Sequence, residues 1–139
     1  MTLLPAPAGA AARRGRFLAQ QVGTATPAGL LVMLYDRLTV DLARAEDALA
    51  TGDRAGAHAA LLHAQDIVAE LLSSLDTTAW EAGERLAGLY AFLLRELLAA
   101  NVAGDAARVA RCRELVEPLR DAWREAASRS AAAASPAVA

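Results

Sequence analysis

The chain contains no lysine, a single cysteine and two histidines, and only 4% of its residues are aromatic. Each shortage removes a class of protein. With Cys112 alone there is no disulfide framework and no multi-cysteine metal site. The thiol falls on the apolar stripe of a helical stretch and reads as an inert buried group, of the kind a reducing compartment keeps. The 14 basic residues are all arginine, they are scattered among 16 acidic ones, and the net charge is −2. Without a basic block to track phosphates, nucleic acid is not an expected partner. No segment approaches ~18 consecutive apolar residues, so no membrane insertion is expected. His58 and His63 do not share a helix face, and neither follows a glutamate by three residues, so the Glu-x-x-His pairs of a metal-carrying bundle are missing. A phosphate loop and a Ser-His-Asp set are missing too. The sequence predicts no enzyme, no metal and no cofactor.

What the chain does have is alanine and leucine at helical spacing. Thr26 is placed to accept from the first-turn amides and Pro27 supplies a helical φ at a position whose N–H needs no partner, so a helix starts there. Its stripe is Leu31, Leu34, Leu38, Leu42, Ala45 and Leu49, and it ends near Thr51 and Gly52. Asp53 caps a second helix with Leu61, Ala64, Val68, Leu71 and Leu75. Thr78 and Glu81 have the spacing of a capping box and predict the start of a third, with Leu86, Leu89, Leu93 and Leu97. Gly104 ends it. Asp105 caps a fourth, with Val109, Cys112, Val116, Leu119 and Trp123, in which Pro118 predicts a kink. Four such helices joined by short turns predict an all-α, antiparallel up-down four-helix bundle. The expected division is an N-terminal arm over 1–23, a helical domain over 24–127 and a disordered low-complexity tail over 128–139.

The N-terminal segment carries Arg13, Arg14 and Arg16 after a short stretch broken by Pro5 and Pro7. A secretory signal has the reverse order, so the expected location is the cytoplasm. Phe17, Leu18 and Val22 make the end of the arm amphipathic.

Apolar residues exceed what one packing stripe needs. Leu30, Met33 and Tyr35 lie beside the first stripe; Leu62, Ile67 and Leu72 flank the second; Tyr90, Leu94 and Leu98 form a second row on the third helix. Two readings are open: a wide core face, or a groove that receives an amphipathic segment of a partner.

The stretch TATPAGLLVMLYDRL resembles the start of the flagellar secretion chaperone family FliS, through Thr24, Ala25, Thr26, Pro27, Met33, Leu34, Tyr35 and Asp36. AQDIVAELLSSLD (64–76), LYAFLLRELLAAN (89–101) followed by Asp105, and LRDAW (119–123) resemble later parts of the family in the same order. Gly29, Arg37 and Phe17 depart from its usual residues. The resemblance implies a cytoplasmic helical bundle that binds the disordered C-terminal segment of flagellin, blocks premature polymerisation and delivers the subunit to an export gate component of the flagellar type III apparatus. On that basis the groove residues are Leu62, Leu72, Tyr90, Leu94, Leu98 and Asn101; the amphipathic Phe17, Leu18 and Val22, beside this surplus apolar surface, are expected to form a lid over part of the groove that flagellin displaces. The alternative is a self-associating structural or regulatory bundle without an exported client; a homodimer is compatible with either.

Overall fold

A computed structural model describes residues 26–79 and 81–134. They form four helices: α1, Pro27–Ala50; α2, Arg54–Ser74; α3, Gly83–Ala103; and α4, Ala106–Ala134. There is no strand among the described residues. The chain divides into two compact units, Leu34–Asp121 and, of the described residues, 26–33 with 122–134.

Local chemistry sets most helix ends where the sequence puts them. The Gly29 amide donates to Thr26 Oγ1 at 3.0 Å, the Gly56 amide to Asp53 Oδ1 at 2.9 Å and the Arg108 amide to Asp105 Oδ1 at 3.1 Å. Each bond satisfies an N–H that a helix start leaves without an intrahelical acceptor. Helices α1 and α3 are followed by Gly52 (φ 79°) and Gly104 (φ 65°), left-handed positions that a side chain would strain. Arg54 also lies against Gly104, where a Cβ would collide with its guanidinium.

Two expectations are corrected. The capping box at Thr78 and Glu81 does not form, and α3 begins at Gly83 after Ala82, which makes no side-chain cap. Asp76 competes successfully for Thr78: the Thr78 amide and hydroxyl both donate to Asp76 Oδ1, at 3.0 and 2.7 Å. A side-chain turn thus replaces the cap, and these bonds hold the Asp76 carboxyl below the usual carboxylate range. Pro118 lies inside α4, which is helical on both sides of it, and the residue is exposed. Finally, α4 continues to Ala134, so 128–134 are helical rather than disordered. That segment is rich in alanine, the residue that favours helix most.

Within Leu34–Asp121, bonds between helices fix the topology. Arg113 Nη2 donates to Glu46 at 3.0 Å and Arg120 Nη1 to Thr39 Oγ1 at 3.5 Å. Moving forward along α1 therefore means moving backward along α4. His63 meets Asp41 beyond the α1–α2 turn, His58 meets Asn101 across α2 and α3, and Arg108 donates to Glu96 at 3.2 Å across α3 and α4. Neighbouring helices are antiparallel throughout, which is the up-down four-helix bundle. Its core holds Leu38, Leu42, Leu61, Val68, Leu93, Leu97, Val109 and Val116, each almost fully buried. Each large side chain contributes about 1.5–3 kcal/mol by leaving water. Ala45, Ala57, Ala64 and Ala100 are buried between them and allow close helix approach.

Helix α3 is long and apolar enough to cross a membrane by length and composition. In the bundle its Leu86, Tyr90, Leu93, Leu97 and Ala100 are buried against the other helices.

Candidate functional site

The residues that sequence periodicity left over fall at two depths. Leu62 is 44% exposed and Leu98 57% exposed, whereas Tyr90 is 2% exposed. Leu72, Leu94 and Asn101 are half-buried. Tyr90 therefore does not form a surface row with Leu94 and Leu98; Ile67 is buried as well. The reason is geometric. At ~3.6 residues per turn each four-residue step rotates by about 40°, so the three residues wind from the core to the surface.

The remaining five collect along one seam. The bond between His58 Nδ1 and the Asn101 side chain sets the pairing of α2 with α3. One turn on along α2 is Leu62, level with the Leu98 region of α3. Two turns on is Gln65, level with Leu94, and two more lead to Leu72 near the start of α3. The outer edge of the α2/α3 seam thus presents Leu62, Leu72, Leu94, Leu98 and Asn101, with Tyr90 beneath. At its Asn101 end the seam is closed by polar bonds, since Arg54 Nη2 also donates to the Asn101 carbonyl at 3.2 Å.

Tyr90 has a structural task below that surface. Its hydroxyl bonds that of Tyr35 at 2.7 Å, between the diagonal helices α1 and α3. Burial, and then the bond to Tyr35, raise the Tyr90 phenol well above its usual range. Tyr35 belongs to the motif that carries the family resemblance, and here it spans the core. Leu34 beside it is buried, Asp36 is half-buried and Met33 is 39% exposed.

Periodicity did not single out Asp41. It is buried on α1, bonded to His63 and, at 3.3 Å, to Arg37 Nε. The available signal was its place one turn after Leu38 on the inward face. Cys112 is buried and its thiol is pushed up to about 11, chiefly by burial, which leaves little thiolate at neutral pH. Among the described residues no group of three or more His, Cys, Asp or Glu could hold a metal ion. Thr24 and the arm residues Phe17, Leu18 and Val22 lie outside the described residues.

A bundle whose buried polar groups serve mainly to join its helices, and whose outer seam presents leucines, has the form of a binding module. Comparison with known proteins specifies which. The family model described as Flagellar protein FliS matches residues 10–130. The flagellar secretion chaperone FliS of Bacillus subtilis (strain 168) is 31% identical over 105 residues, covering 76% of this chain and 78% of that protein. The chain belongs to the FliS family.

Proposed function

We propose that this protein is a flagellar export chaperone that holds the C-terminal segment of flagellin along the α2/α3 seam. In the cytoplasm it keeps that segment from polymerising, and it brings the subunit to a component of the flagellar export gate. The observation that carries the reading is the pair Leu62 and Leu98, half-exposed leucines on facing helices with half-buried Leu94 and Leu72 along the same seam. Apolar side chains on an unpartnered seam favour an amphipathic segment, which orders as it binds and covers them. Family membership supports the client class. The arm residues Phe17, Leu18 and Val22 are proposed to compete with the client for the same seam.

The test is calorimetric titration of the purified chain with a synthetic peptide of the flagellin C-terminal segment. A stoichiometric complex is expected. Absence of binding, with the chain associating only with itself, would favour the self-associating bundle instead.

A further inference from the structure

Within Leu34–Asp121 most buried polar side chains are paired: Tyr35 with Tyr90, Asp41 with Arg37 and His63, and Thr39 with the Asp36 carbonyl. The buried Nε of Arg108 makes no hydrogen bond, but its guanidinium is held by Glu96 and Asp105. Gln65 differs. Its Nε2 is shut off from solvent and has no hydrogen-bond partner. An unpaired buried amide is uncommon in folded proteins because desolvation is not compensated. A methionine of similar length would fill the position without that cost.

The register of the seam puts this amide at the level of Leu94, between the polar His58–Asn101 end and the Leu72 end. We infer that Gln65 is the polar recognition point of the seam, its side-chain amide donating to an acceptor oxygen of the bound flagellin segment. The inference rests on the seam being the client site. Gln65 is half-buried as a residue, and its Nε2 is shut off from solvent. Glutamine has two staggered torsions before its amide, and a change of rotamer there carries the whole amide, N–H and C=O together, toward the seam. The amide can therefore offer its N–H groups outward with the backbone unchanged. A seam of leucines alone would accept any amphipathic segment of suitable size. One desolvated donor among them selects a segment with an oxygen at the matching turn, because a ligand lacking it leaves the donor unpaired. The unpaired group is then a cost carried by the free chain and relieved in the complex.

The experiment compares Gln65→Met and Gln65→Glu with the unmodified chain, by titration with the same flagellin peptide and by thermal melts without it. For Gln65→Met the expected result is at least tenfold weaker binding with an unchanged or higher melting midpoint. Gln65→Glu removes the donor and places an anion against the acceptor, so it is expected to bind more weakly still. Either variant binding as tightly as the unmodified chain overturns the inference. So does a lowered midpoint in Gln65→Met alongside weaker binding, which would make the residue structural. If the unmodified chain does not bind the peptide, the client reading itself fails and takes this inference with it.

Discussion

Replacing Tyr35 with phenylalanine removes one oxygen from the centre of the bundle and leaves the rings packed. The Tyr90 hydroxyl, 2.7 Å away on α3, then loses its hydrogen-bond partner in a residue that is 2% exposed. A buried hydroxyl without a partner costs about 1–3 kcal/mol, whereas removing both partners of a buried pair is far closer to neutral. Tyr35→Phe is therefore expected to lower stability by about 1–3 kcal/mol, and Tyr35→Phe/Tyr90→Phe to recover most of it. For a chain of 139 residues each kcal/mol corresponds to roughly 3–5 °C in the melting midpoint. Urea denaturation of the unmodified chain, the two single variants and the double variant closes the cycle, with an interaction energy of about 1 kcal/mol or more. If the single losses simply add in the double variant, the hydroxyls do not depend on each other and the diagonal bond is not what holds them buried.

Other expectations concern pH, the seam and the arm. The Tyr90 phenol is raised in the folded chain above the value of about 10 it has when unfolded. The folded state thus holds its proton longer, and this contribution is complete below about pH 10 and declines as pH rises beyond that. Alkaline denaturation should start in that range and be shallower in Tyr90→Phe. Leu98→Asp should abolish binding of the flagellin peptide while shifting folding stability by no more than ~0.5 kcal/mol, since the residue is 57% exposed; a collapsed fold would make Leu98 a core residue. Deleting residues 1–22, which spares the Thr26 cap, should tighten peptide binding if the arm competes for the seam. Weaker binding or a lower melting midpoint would show that it does not.

The apolar stripes were legible because burial at helical spacing leaves a periodic trace: Leu38, Leu42, Leu61, Val68, Leu93, Leu97, Val109 and Val116 are all core residues. The caps at Thr26, Asp53 and Asp105 were legible because each bond closes within one turn. Thr78 was misjudged because two local partners competed for it, and spacing does not rank Asp76 against a helix start. Tyr90 was placed with Leu94 and Leu98 because a four-residue step looks straight in sequence and winds in space. Asp41 and Gln65 were not singled out, since whether a polar residue on an inward flank finds a partner depends on the facing helix. The five surface positions of the seam were in the sequence, but their alignment depended on the pairing of His58 with Asn101.

That pairing also makes the two ends of the seam unequal. At one end Arg54, His58, Asn101 and Gly104 tie the start of α2 to the finish of α3. At the other, the connection from Leu75 to Ala82 is mostly exposed and α3 begins without a side-chain cap. Local opening is cheapest where backbone bonds are solvent-facing and side-chain ties are few. The joint between these helices is thus tied across α2 and α3 by side-chain bonds at one end and by a local turn at the other. Amide hydrogen exchange is therefore expected to be faster at the start of α3 than around His58 and Asn101.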